Sequence, residues 1–402
     1  MVQHTLRDMF NNYVQREGVF KAKDVLSHNY VPDVTFHREQ QTKTLAEILS
    51  PVLRGLEVSN CFLYGKTGTG KTVIALTVAG ELEKTAKSVD KNLKVLYVNC
   101  KMKRVSDTEY RLLAEMCRML GREVPPTGLP TDAVYGIFYE AIEAVGGSVI
   151  LVLDEIDALV SKIGDEILYN LTRMNQHMVK TKVSMIGISN SVSFIETLDP
   201  RVKSALSEEE IIFPPYNSMQ LKDILTQRAA LAFAPDALKP GVIEKCAALA
   251  AQEHGDARKA LDLLRIAGEL AERNDSMVVG IEHVDIAEDK LDTDRMVEIV
   301  RSQPKQSLAV LAAIVKLMDS KQSGIQTGDV FTVYQEMCSK AGLKILTQRR
   351  ASDLIAELDM LGVITTTVIS KGRYGRTREI RMVLPSTVME KIRSILRESY
   401  LL

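Results

Sequence analysis

The chain of 402 residues has no tryptophan, no low-complexity tract and no internal repeat, which excludes a repeat array. Cysteine is scarce: Cys61, Cys100, Cys117, Cys246 and Cys338 are odd in number and far apart, with no C-x-x-C pair. That spacing argues against a disulfide framework and a zinc site, and predicts reduced core residues in a cytosolic protein. No segment reaches the ~18 uninterrupted apolar residues of a membrane span, and the opening stretch MVQHTLRDMFNNYVQREG contains no apolar signal region. A soluble, cytoplasmic protein without a membrane partner is expected. Charge of one sign is missing too, since 51 Lys and Arg face 52 Asp and Glu. Any surface for nucleic acid must therefore be local, not a uniformly basic coat.

What is present is organised around residues 63–72, LYGKTGTGKT. Gly65, Gly70, Lys71 and Thr72 have the G-x-x-x-x-G-K-[ST] spacing, between the apolar run 61–64 and the apolar run 73–76. The pattern reads as strand, phosphate loop, helix. Across Gly65, Lys66, Thr67, Gly68, Thr69 and Gly70 the glycines let the backbone turn tightly, so that successive N–H groups and the positive helix end point at one anion. Lys71 is expected to reach the β and γ phosphates of ATP or ADP, and Thr72 to offer its hydroxyl to Mg²⁺.

The second strong signal is SVILVLDEID, an apolar strand ending in Asp154 and Glu155 at the edge where α/β sheets bind ligands. Asp154 is expected to hold magnesium, directly or through water, and Glu155 to polarise the attacking water. KVSMIGISN places Asn190 at another strand end, either to orient that water or as a turn former. In TLDPRVKSAL, Arg201 reads as a surface charge or as an arginine finger for a neighbouring subunit. Upstream, residues 31–36, with Val31 and Pro32, read either as a wall against an adenine ring with His37, Arg38 and Glu39 at its rim, or as the ordinary start of a helix. Nearly fifty residues separate the strand KVLYVNC from SVILVLDEID, about more than one crossover helix requires, so an extra element is inserted there.

From residue 216 the periodicity is helical only. HGDARKALDLLR starts a helix with Asp256 as N-cap and leaves Arg258 in the first turn, off the apolar stripe. A cation there gains nothing from the helix dipole; it faces either a γ phosphate or Asp262, one turn on. After the linker candidate RSQPKQS come three helices, the second capped by Thr327, and two alternating strands around the basic tip KGRYG. This is a winged helix-turn-helix pattern. Thr347, Gln348, Arg349 and Arg350 would enter the major groove of a duplex, and Lys371, Arg373, Tyr374, Arg376 and Arg378 would lie on phosphates or in the minor groove.

The order of these parts resembles the archaeal replication initiators related to both the largest origin recognition complex subunit and the cell division control helicase loader, within the initiator clade of AAA+ ATPases. The resemblance rests on VPDVTFHREQ, GKTGTGKT, LVLDEID, GISN, DPRVKSAL, GDARKALDLLR and the C-terminal module. It implies an α/β P-loop AAA+ domain over residues 1–215, with a parallel sheet and helices on both faces. An all-α lid over 216–300 and a winged-helix domain over 301–402 follow. It also implies that Asn190 and Arg258 sense the nucleotide, and that the insert, with Lys101, Lys103 and Arg104 as candidates, touches DNA. The expected function is slow ATP hydrolysis coupled to origin binding and helicase loading, with double-stranded origin DNA, the minichromosome maintenance helicase and itself or a paralogue as partners at the nucleoid. A nucleotide-clamped transcriptional regulator and a clamp-loader or helicase-like motor are the competing readings.

Overall fold

A parallel strand covered by helices on both faces is apolar along its whole length, and Ser148–Asp154 (β3) is buried at every residue. It lies between Leu93–Asn99 (β2) and Lys182–Ser189 (β4), and Cys61–Tyr64 (β1) and Glu209–Ile212 (β5) complete a parallel sheet of order β2-β3-β4-β1-β5. The structure, a computed structural model, describes residues 18–28, 30–32, 34–102, 107–191, 193–206, 209–320, 324–370 and 376–399. The chain divides into two compact units, Met1–Val284 and Asp285–Leu402.

In the first unit, strand alternation sorts side chains to two faces. Ile150 and Val152 pack with Leu63, Leu45, Ile74 and Val78 under helices Glu39–Leu49 (α1) and Lys71–Ser88 (α2). Val149, Leu151 and Leu153 pack with Phe62, Leu112, Phe138 and Leu168 under Glu109–Met119 (α3), Thr131–Glu143 (α4), Ile156–Ile163 (α5) and Glu166–Arg173 (α6). The inserted element between β2 and β3 is thus the pair α3 and α4. Because all strands run parallel, β1, β3 and β4 deliver their C-terminal ends, and the residues that follow, to one edge.

Pro200–Leu206 (α7) precedes β5; thereafter the unit is helical, with Ser218–Ala232 (α8), Val242–Gln252 (α9), Ala257–Arg273 (α10) and the start of Ile281–Arg301 (α11). Asn217 and Gln220 close a capping box on α8. Asp256 caps α10 as expected, accepting the backbone N–H of Arg258 at 2.7 Å and of Lys259 at 3.4 Å. All five cysteines are buried, and burial raises the thiols of Cys61, Cys100 and Cys246 to about 12, far from a reactive thiolate.

The second unit holds Lys305–Ser320 (α12), Thr327–Ala341 (α13), Gln348–Met360 (α14) and Ser386–Glu398 (α15) around an antiparallel sheet of Ile325–Gln326 (β6), Arg376–Arg381 (β8) and Thr365–Ser370 (β7) in that order. Three details depart from the sequence reading. The polar stretch 301–307 is mostly helical, because α11 runs to Arg301 and Pro304 opens α12 by accepting the Leu308 N–H at 3.0 Å. Gln326, not Thr327, caps α13: it is held extended by pairing with Glu379, and its N–H donates to Asp329 at 3.2 Å. A fourth helix, α15, follows the hairpin and buries Val388, Ile392, Ile395 and Leu396 in the same core.

At Gly187 in β4 an added Cβ would meet the Phe62 ring, with Cδ1 at 2.7 Å. Gly187→Ala is expected to destabilise the first unit by about 1–3 kcal/mol through overpacking, measured as a lowered urea midpoint with unchanged slope.

Candidate nucleotide-binding site

Between β1 and α2 the chain turns through Gly68 (φ 72°) and Gly70 (φ 95°), backbone that a side chain rarely adopts. The turn folds back over Lys71, which is 5% exposed. Its ammonium donates to the carbonyls of Gly65 (2.7 Å) and Lys66 (2.8 Å) and to Asn190 Oδ1 (3.0 Å), so Gly65 and Lys66 contribute backbone oxygens and Thr69 Oγ1 braces the turn on Lys66 O at 2.8 Å. Among the described residues no carboxylate pairs with Lys71. Burial lowers its pKa to about 8; Asp154 opposes that shift and Arg258 adds to it. A buried ammonium bonded only to neutral oxygens is half of an ion pair, and the loop geometry supplies the rest of an anion site.

Asp154 closes the same edge from β3. Its Oδ2 accepts the hydroxyls of Thr72 and Tyr97, each at 2.9 Å, and its Oδ1 accepts the Glu155 N–H at 2.9 Å. Glu155 follows with φ 55° and ψ 47°, a left-handed conformation that costs a non-glycine residue about 1–3 kcal/mol and is kept chiefly at functional sites. Its carboxylate pairs with the exposed Lys101 at 3.4 Å. β4 lies beside β3, and so Asn190 reaches Lys71 while its N–H donates to Asp157 at 3.4 Å.

The helical end of the unit closes directly on this loop. Ala257 N–H donates to Gly68 O at 3.2 Å, and a Cβ on Gly68 would collide with Asp256. A cavity of about 450 Å³ results. Residues 67–72, Tyr97, Asp154, Glu155, Asn190, Arg258, Tyr30, Val31, Pro32 and Phe36 line it. Residues 27, 28, 30–32 and 34–36 form another wall of it, fastened to the helices behind. Arg228, 6% exposed, donates to Val25 O and Tyr30 O at 3.4 Å and sits 4.4 Å over the Tyr30 ring, while His28 pairs with Asp262 and His37 with Asp223 at 2.8 Å.

Of the residues anticipated here, Thr67 to Thr72, Asp154, Glu155, Asn190, Arg258, Val31 and Pro32 come together. Arg38 does not, and the expectation that it edges a base is corrected. It is 2% exposed, donates to Thr69 O (2.9 Å), His37 O (3.1 Å) and Pro214 O, and stacks 3.8 Å from the Tyr216 centroid, bracing the phosphate loop from behind. Asp262 is taken by Arg265 (2.8 Å) and His28, leaving Arg258 without an ion pair among the described residues. Arg201 lies outside the cavity, exposed and paired with Asp199 at 3.1 Å. The sequence reading missed Tyr97, Tyr30 and Arg228. Only Tyr97 carried a signal, a lone hydroxyl in an aliphatic strand two residues before polar Asn99.

In the second unit, Thr347 caps α14 by accepting the Arg350 N–H at 3.4 Å, and Gln348, Arg349 and Arg350 are exposed in its first turn. Arg350 is shared with Glu357 (3.5 Å) and Asp353 (3.9 Å), and Arg378 donates to Ser352 O at 3.4 Å. Arg376 opens β8, but its side chain, together with Lys371, Arg373, Tyr374, Lys103 and Arg104, lies outside the described residues.

Sequence models of three domain families match the chain: an AAA domain at residues 57–192, a Cdc6 AAA+ ATPase-type lid domain at 222–289 and a CDC6 C-terminal winged helix domain at 298–392. The chain is 52% identical over 99% of its length to the ORC1-type DNA replication protein of Pyrococcus furiosus, covering 94% of that protein. It is 50% identical over 96% of its length to ORC1-type DNA replication protein 1 of Archaeoglobus fulgidus, covering 93% of it. The Aeropyrum pernix ORC1 protein, solved in complex with DNA, superposes with a TM-score of 0.82 at 43% identity, over 96% of this chain and 98% of that one. A parallel-sheet ATPase domain, a helical lid and a winged helix in this order, with relatives this similar over nearly the whole length, make the chain a member of the ORC1-type DNA replication proteins.

Proposed function

We propose that this chain is an ATP-dependent initiator that binds replication origins, hydrolyses ATP slowly and helps place the replicative helicase, the minichromosome maintenance complex. The observation that carries the reading is the convergence of Lys71, Asp154, Asn190 and Arg258, from four separate elements, on one cavity in a chain that also holds a winged helix domain. The functional division is a sheet domain to about residue 215, a lid to about 300 and a duplex-binding domain beyond.

Lys71 and the backbone of residues 65–70 bind the β and γ phosphates, and residues 30–36 wall the adenine. Asn190, after β4, and Arg258, on α10, report the γ phosphate. The donor set of Thr72 and Asp154, a hydroxyl and a carboxylate at 2.9 Å, suits a hard divalent ion such as Mg²⁺. That ion would neutralise charge on the phosphates. Glu155 orients and polarises the attacking water, and Arg201 acts on the site of a neighbouring copy or paralogue. Thr347, Gln348, Arg349 and Arg350, with the hairpin tip and the basic residues of the insert, engage duplex DNA at the nucleoid. The DNA-bound Aeropyrum pernix relative supports that partner.

Three measurements test this. Phosphate release should fall about 100- to 10,000-fold in Glu155→Gln with nucleotide binding retained, and both should fail in Lys71→Ala; undiminished turnover in both variants refutes the assignment. Nucleotide affinity should be full below the Lys71 pKa of about 8 and fall about tenfold per pH unit above it, because a bound phosphate raises that pKa and deprotonation then opposes binding. Lys71→Met should bind weakly with a flat profile over the same range. Footprinting should show ATP-sensitive protection of origin over random duplex, and Arg349→Ala should weaken binding across sequences and lower the salt slope by about 1; genomic occupancy confined to promoters would favour a transcriptional regulator.

A further inference from the structure

Asp154 is a carboxylate 5% exposed that makes no ion pair among the described residues. Lys71, the nearest buried cation, spends its donors on Gly65, Lys66 and Asn190. Removing a charge from water in this way is costly unless hydrogen bonds replace the lost hydration. Three neutral donors do so, and two of them meet on one oxygen: Thr72 Oγ1 and Tyr97 Oη each donate to Oδ2 at 2.9 Å, while the Glu155 N–H holds Oδ1.

Tyr97 reaches that oxygen because of strand register. Asn99 of β2 stands beside Asp154 of β3, and Tyr97, two residues earlier, lies on the same face of the sheet as Asp154 and α2. The Glu155 N–H is fixed by the main chain and Thr72 by the loop. Tyr97 is the one donor delivered from a different strand, and it lines the cavity wall as well.

We propose that Tyr97 is a positioning residue for the divalent cation: its hydroxyl, opposite that of Thr72, locks the Asp154 carboxylate in the orientation that receives the ion. The inference rests on the reading of Thr72 and Asp154 as the magnesium side of the site. With both hydroxyl protons committed to Oδ2, the carboxylate cannot rotate without breaking a bond, and the Thr72 oxygen keeps its lone pairs to accept the ion. Outer hydrogen bonds of this kind tune metal affinity by about 10–100-fold in other proteins.

The test is binding of a fluorescent ADP analogue to the full chain, titrated with MgCl₂ and repeated in EDTA. Tyr97→Phe keeps the ring and removes the donor. It should raise the Mg²⁺ concentration for half-maximal enhancement about tenfold, with the EDTA affinity unchanged, while the thermal midpoint falls because Asp154 loses one of its three donors. Mg²⁺ curves that superpose on those of the unaltered protein, or an equal loss with and without Mg²⁺, would overturn the role of Tyr97 while leaving the cation site standing. An unaltered protein that binds nucleotide identically in Mg²⁺ and EDTA would overturn the cation reading itself.

Discussion

The first unit depends on one unmet charge. Lys71 is buried under its own loop and bonded to two carbonyls and an amide oxygen, none of which carries a full negative charge. Desolvation without a counter-ion costs folding free energy, and it is tolerated here because the surrounding elements are over-determined by other contacts. Arg38 ties the loop to the chain after β5, and Asp256 and Ala257 press on Gly68. The site therefore stores a preference for an anion that the fold itself does not satisfy.

The lid is attached to the loop by backbone contacts, so the two sides of the cavity share a boundary a few ångströms wide. Gly68 sits at that boundary, with Ala257 N–H on its carbonyl and Asp256 where a Cβ would be. The loop therefore touches the start of α10, where Arg258 also lies. The cavity wall that follows residue 26 is anchored on the helical side as well, through Arg228 on the carbonyls of Val25 and Tyr30 and through Asp262 on His28. The loop and this wall thus both rest on α10, which is the arrangement a nucleotide-dependent switch needs.

The second unit solves a different problem. Its core is largely apolar, and α12 contributes residues 308–315 as an unbroken buried apolar run, so that α13, α14, α15 and the three-stranded sheet pack around it. What remains outside is a first turn of α14 with two arginines, one of them shared among acids. A salt-sensitive, partly neutralised face of this kind fits a chain whose net charge is close to zero.

The sequence by itself determined the phosphate loop, the two acids at the end of β3, the Asp256 cap and the hairpin module. Each of these is a local pattern, written within about ten residues and enforced by glycine conformation, period or capping chemistry. Arg38 looked like a rim residue because nothing nearby in the chain reveals that Thr69 and Pro214 converge on it. Tyr97, Arg228 and the hold of His28 on Asp262 were hidden for the same reason. Their partners lie 57 to 234 residues away, and only strand register and helix packing bring them within hydrogen-bonding reach. Tertiary structure therefore decided which polar side chains face the cavity and which merely hold it, since a side chain's chemistry is set by what desolvates it, and that is a property of the fold.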